Sequence, residues 1–141
     1  RETEDIKVIH LTRKNLLKTV VSREVAGATG IWRSSSIRKA DNVKVDISFE
    51  ECKKAFEDTE NYQKQYEEFF ANKDVYNLVY EDLVKDMEGE STRLLSFLGV
   101  SERKLLPGTK KQASRPLSEV VINYEELKDK FSGTKWAQYF K

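Results

Sequence analysis

Lys7-Val-Ile-His-Leu-Thr-Arg13-Lys-Asn-Leu-Leu-Lys-Thr-Val-Val-Ser22 divides into a strand and a helix, and that division decides the fold. Ile6 to Leu11 is a short, mostly apolar run rich in β-branched residues, and it reads as a largely buried strand. Asn15 can then cap a helix in which Leu16, Leu17, Val20, Val21 and, further on, Val25 recur at three- and four-residue steps; the pattern ends before Gly27. In open α/β sheets the ligand crevice lies beyond the carboxyl ends of the strands, and the first such end here is Leu11-Thr12-Arg13. The free N–H groups at the start of the following helix favour an anion there. Arg13 and Lys14 are cations at the wrong end of a helix dipole unless an anion neutralises them, so the pattern implies a phosphate. Ser22 lies seven residues beyond Asn15, two turns along one face and roughly 10 Å along the axis. A phosphate between an extended Arg13 and Ser22 fits this spacing. A solvated Arg13 and a Ser22 bonded to its own helix fit it as well, because in one unbroken helix the two would sit on opposite sides.

Working outward, Gly27 to Asn42 is rich in Gly, Ser and Arg and reads as a loop with at most a turn of helix; a brief strand, Val43 to Ile47, follows. Ser48 with Glu51 forms a capping box for a helix that carries Phe49, Cys52, Phe56, Tyr66, Phe69 and Phe70 to about Ala71. Val75 to Tyr80 is a second strand. Helical spacing returns from Glu81 through Leu83, Val84, Met87, Leu94, Leu95 and Leu98, interrupted at Gly89 and stopped by Gly99 as a left-handed cap. Residues 101–117 hold both prolines and read as loop. Asn123 with Glu126 suggests a second capping box for a helix to about Lys130, and Trp136, Tyr139 and Phe140 are expected to dock on the core. Strands alternating with helices argue for an α/β class with a parallel sheet covered on both faces.

The chain has 141 residues, of which 38% are hydrophobic and 35% charged, the composition of one ordinary globular domain. With 25 basic against 24 acidic side chains the net charge is +1, which gives no reason to expect nucleic-acid or membrane-surface binding. Locally the balance is +5 over residues 1–44, −7 over 45–104 and +3 over 105–141. Two readings stand: an anion-facing surface built from both ends, or chance in a highly charged chain. No apolar run approaches the roughly 18 to 20 residues that span a bilayer. The single cysteine, Cys52, cannot form an internal disulfide, and no signal-peptide pattern is visible, so a reducing cytoplasmic setting is expected. With one His and one Cys there is no credible zinc set.

The stretch Lys7 to Ser22 resembles the 3′-phosphate-binding strand and helix of sulfotransferases that use 3′-phosphoadenosine 5′-phosphosulfate, in particular the bacterial branch with the nodulation and trehalose sulfotransferases. Tyr80-Glu-Asp-Leu83 followed by Leu94-Leu-Ser-Phe-Leu-Gly-Val100 resembles that family's strand-end and helix signature. Lys111-Gln112-Ala-Ser114 through Asn123-Tyr-Glu-Glu-Leu127 and Gly133-Thr134 resembles its C-terminal segment. The resemblance implies a P-loop-like parallel sheet flanked by helices and a single sulfotransferase-like domain over residues 1–141, of which this is the C-terminal portion. It assigns Arg13 and Ser22 to the nucleotide's 3′-phosphate, the Arg as a charged donor fork and the Ser as a hydroxyl donor. It matches Lys111, Gln112 and Ser114 to a loop closing over the same nucleotide. The expected partners are that nucleotide and a small-molecule or glycan acceptor, without a metal.

The family's opening strand and Gly/Ser/Thr-rich loop, which cradle the 5′-phosphosulfate and carry a basic residue, have no counterpart before Arg1. Gly27-Ala-Thr-Gly30 lacks the Lys-Ser/Thr ending and follows a helix, so it is rejected as that cradle. The family's general base, a His or carboxylate, lies upstream too. The fold is therefore expected to be incomplete at its N-terminus, with a preceding segment or a second chain completing the site. Were nothing to precede Arg1, the chain alone is expected to be inactive and to bind nucleotide weakly, since a few phosphate contacts scarcely exceed the ~4 to 15 kcal/mol cost of association.

Other residues carry blander readings. His10, mid-strand, is taken as a core or supporting residue rather than a base. Cys52 is taken as packing. Glu81 and Asp82 either orient the site's loops or cap the next helix. Trp32-Arg33-Ser34-Ser35-Ser36 is either an acceptor-binding lid or a docked anchor. The rival functions are a non-catalytic nucleotide-binding module of the same fold, or an interaction domain whose basic ends meet an acidic partner.

Overall fold

The computed structural model describes residues 6–32, 42–106 and 115–141. They fall into two compact units, one from residues 6–14 and 60–106, the other from residues 15–32, 42–59 and 115–141. The elements run β1 (Lys7–Thr12), α1 (Leu16–Thr29), α2 (Phe49–Phe69), β2 (Asp74–Val79), α3 (Tyr80–Lys85), α4 (Met87–Leu98), α5 (Leu117–Val120), α6 (Tyr124–Phe131) and a closing 3₁₀ helix (Lys135–Phe140). This is a mixed α/β arrangement with a small parallel sheet.

In the first unit β1 and β2 pair in parallel with a register from Lys7↔Asp74 to Thr12↔Val79. Parallel neighbours need a long crossover, and the chain between them supplies one. α4 meets the sheet through the Tyr76 and Phe97 rings, 5.4 Å apart, and Leu78 on β2 and Leu95 on α4 are both buried. Lys7 Nζ donates to the Phe97 carbonyl at 2.6 Å. The Tyr76 hydroxyl donates to Glu90 at 3.0 Å, and Arg93 donates to the same carboxylate at 2.6 Å, holding it below the usual carboxylate range. The expectation of a sheet covered on both faces is corrected: among the described residues it has two strands, and along β1 Ile9 and Leu11 are exposed, at 43% and 56%.

The second unit owns the larger core. Leu16, Leu17, Val20 and Val21 present one buried stripe of α1. Phe56 lies within 5.2–5.7 Å of the Phe131, Trp136 and Tyr139 rings, so the aromatic C-terminus does dock on the core. The Ser48–Glu51 capping box forms in both directions: the Ser48 amide donates to Glu51 at 2.9 Å and the Glu51 amide to Ser48 Oγ at 3.2 Å. Three local expectations shift. α1 passes through Gly27 and ends at Gly30, whose φ of 69° makes it the left-handed cap. The strand expected at Val43 to Ile47 is a single parallel bridge, Val45↔Val121. Asn123 does not cap α6; its side chain is spent on Ile47, donating to the carbonyl at 2.8 Å and accepting the amide at 3.3 Å. No helix among the described residues is long and apolar enough to cross a membrane.

Candidate functional site

Because β1 and β2 run in parallel and in register, their carboxyl ends stop together at Thr12 and Val79. The next residue on each chain segment is Arg13 and Tyr80, and the Arg13 guanidinium carbon lies over the Tyr80 ring, 4.1 Å from its centroid. One step further, the Lys14 amide donates to Glu81 Oε2 at 3.0 Å and the Lys14 ammonium to Asp82 Oδ1 at 2.6 Å. Glu81 and Asp82 sit in the first turn of α3, whose cap residue is Val79 and whose start has no side-chain cap bond. Neither carboxylate therefore caps α3 through its side chain; they hold the amide and the ammonium of Lys14 just past the end of β1.

Charge therefore sorts between two adjacent cations. Lys14 has a carboxylate, so the expectation that an anion must neutralise it is corrected. Arg13 is half-buried and, among the described residues, in no ion pair; its one close partner is an aromatic face, which leaves the in-plane N–H donors uncommitted. Ser22 stands on the exposed side of α1 beside the buried Val21, and among the described residues its hydroxyl makes no hydrogen bond, so it is not bonded back to its own helix. Arg13 belongs to the first unit and Ser22 to the second. Lys111, Gln112 and Ser114 lie outside the described residues.

The remaining candidates resolve blandly. His10 is half-buried and faces its register partner, with Nδ1 3.2 Å from Asn77 Oδ1. Cys52 is fully buried, and burial, reinforced by Glu51 and Glu24, pushes its thiol up to about 11. Trp32 is 69% exposed, which does not fit a docked anchor, while Arg33 to Ser36 lie outside the described residues. Gly27, Ala28 and Thr29 are helical, in keeping with their rejection as a phosphate cradle. A cavity of about 650 Å³ runs along the middle of the strands beside Tyr66 and Phe70; neither Arg13 nor Ser22 lines it. Sequence reasoning missed the stacking of Tyr80 on Arg13. The available signal was the equivalence of the two strand ends, Thr12-Arg13 and Val79-Tyr80, once the strands are taken as parallel neighbours.

The profile described as Sulfotransferase family matches residues 2–104. Nodulation protein H of Rhizobium tropici is 26% identical over 140 residues, which cover 98% of this chain and 56% of that protein. Nodulation protein H of Rhizobium meliloti is 27% identical over 142 residues, covering 96% and 56%. The chain thus spans about half the length of the curated relatives it matches. No solved structure matches it.

Proposed function

The chain belongs to the sulfotransferase family, and we propose that it forms part of one sulfotransferase domain with a P-loop-like sheet, holding the nucleotide of a reaction that moves a sulfuryl group from 3′-phosphoadenosine 5′-phosphosulfate to an acceptor hydroxyl or amine. The bound nucleotide supplies the sulfuryl group on its phosphosulfate anhydride. The acceptor loses a proton, gains the sulfuryl group, and adenosine 3′,5′-bisphosphate departs. In this reading Arg13 donates its N–H fork to the 3′-phosphate, Ser22 adds a hydroxyl donor, and Lys111, Gln112 and Ser114 contribute to the same nucleotide.

The observation that supports the reading best is the division of charge at the end of β1. Lys14 is neutralised by Asp82, whereas Arg13 keeps its charge and its donors on a ring that competes for neither. A residue kept half-buried and cationic at the carboxyl end of a parallel strand is suited to an anionic ligand. The test is sulfuryl transfer from the labelled nucleotide to a panel of hydroxyl and amine acceptors, together with thermal melting in adenosine 3′,5′-bisphosphate. Transfer and a melting shift support the reading. A shift without transfer, with the preceding segment of the domain present, points to a nucleotide-binding module; no shift points to an interaction domain.

A further inference from the structure

We infer that Glu81 is a positioning residue for Arg13: its carboxylate, bonded to the Lys14 amide, carries the pairing of the two strands one rung past the sheet and fixes the main chain from which Arg13 reaches its anion. The inference rests on the reading that Arg13 holds the nucleotide's 3′-phosphate.

The parallel register stops at Thr12↔Val79, because the chain after β2 turns at once into α3 at Tyr80. A segment that leaves a sheet for a helix no longer offers its carbonyls to the neighbouring strand. Lys14 has not yet entered α1, which begins at Leu16 behind the Asn15 cap, so its amide N–H lies outside both the ladder and the helix and needs another acceptor. Glu81 Oε2 takes that amide at 3.0 Å. Arg13 is therefore bracketed. One residue before it, Thr12 is held in register opposite Val79; one residue after it, Lys14 is held by a side chain from the same neighbouring segment. With both flanking residues tied to one segment, the backbone at Arg13 loses freedom before any ligand arrives. A donor whose base is already ordered gives up less entropy when it closes on an anion.

The commitments of the two acids matter as well. A carboxylate within reach of a guanidinium would compete with a phosphate for the same donor fork. Here Glu81 holds an amide and Asp82 holds the Lys14 ammonium at 2.6 Å, and neither forms an ion pair with Arg13. The strand end is ordered without consuming the cation that meets the ligand.

The experiment is calorimetric titration of adenosine 3′,5′-bisphosphate and adenosine 5′-monophosphate into the protein, with the preceding segment of the domain present, and into Glu81→Ala, Glu81→Gln, Arg13→Ala and the Glu81→Ala/Arg13→Ala double variant. Hydrogen exchange at the Lys14 amide is followed alongside. Glu81→Ala is expected to weaken the bisphosphate about fivefold, the scale of one hydrogen bond, while the monophosphate stays within about twofold and the Lys14 amide exchanges faster. Glu81→Gln keeps an acceptor oxygen and is expected to bind the bisphosphate within about twofold of the parent. On the Arg13→Ala background, Glu81→Ala is expected to add nothing further. A Glu81→Ala variant that weakens both nucleotides alike, or whose cost is the same with and without Arg13, overturns the inference, as does a Glu81→Gln variant as weak as Glu81→Ala. Parent-like bisphosphate binding or parent-like Lys14 exchange in Glu81→Ala, beside a weak Arg13→Ala variant, removes the role of Glu81 alone. A parent without preference for the bisphosphate, or an Arg13→Ala variant that binds it like the parent, overturns the underlying 3′-phosphate reading instead. Should Glu81→Ala lose cooperative melting, Glu81→Ser takes its place, and Glu81→Gln still tests whether the acceptor oxygen is the working group.

Discussion

At the residue scale, Ser48 and Glu51 bond each other's backbone amides at the start of α2. Replacing Ser48 with Ala removes one of these caps and should lower unfolding free energy by about 1 kcal/mol in urea titration. The Ser48 hydroxyl and amide hold the Glu51 carboxyl below its ordinary value of 4.5. A carboxyl with a lowered folded value stabilises the fold above its unfolded value, and that contribution is lost as the pH falls through the folded one. Glu51→Gln should therefore lose stability near neutrality and show a shallower decline below pH 4.5 than the parent; parallel acid limbs would contradict this. Cys52 lies in the same helix, fully buried with its thiol pushed up to about 11. It should react with a thiol reagent at pH 8 only after denaturant is added. The capping box was legible in the sequence because both partners lie within one turn. Asn123 was misread because its true partner, Ile47, is 76 residues away, and a cap motif carries no information about such a competitor.

At the scale of elements, α1 and α4 show how termini are set. Both end on a glycine with positive φ, Gly30 at 69° and Gly99 at 70°. A Cβ at Gly99 would meet no atom, so the cost of Gly99→Ala is conformational alone, about 1 kcal/mol, and should appear as a lower midpoint in thermal or urea melting. Gly27 looked like a terminus but is carried through by the alanines on either side, since one internal glycine costs only ~1 kcal/mol against alanine. Gly89 looked like the interruption between α3 and α4, yet the break is at Asp86, whose carboxylate accepts the Gly89 amide at 2.9 Å. A Cβ at Gly89 would collide with that carboxylate, so the glycine makes room for the cap rather than breaking the helix. Period and composition thus located the elements, but their ends depended on which polar side chain reached which free amide.

At the scale of the whole molecule, the apolar residues of α1, α2 and the C-terminal segment converge on one buried cluster, with Leu17, Phe56, Leu127 and Phe131 at 0% exposure. Phe131→Ala should cost about 3 to 5 kcal/mol in urea unfolding, because it empties the contact point of the Phe49, Phe56, Trp136 and Phe140 rings. The helical and strand patterns made this α/β layout legible, and the strand-end rule led to Arg13. The division of the core into two units was not legible, since nothing local distinguishes the apolar residues of one from those of the other. Nor was the partnership of Arg13 with Tyr80, because it arises from the register of two strands far apart in sequence rather than from either segment alone.

The central claim is that Arg13 reads the 3′-phosphate of a nucleotide, and the most direct measurement compares adenosine 3′,5′-bisphosphate with adenosine 5′-monophosphate on the parent protein and on Arg13→Ala. A charged hydrogen bond worth roughly 1.5 to 3 kcal/mol predicts that the parent prefers the bisphosphate by about tenfold or more and that Arg13→Ala abolishes the preference. Equal affinity of the parent for both nucleotides, or a preference that survives in Arg13→Ala, would contradict the account.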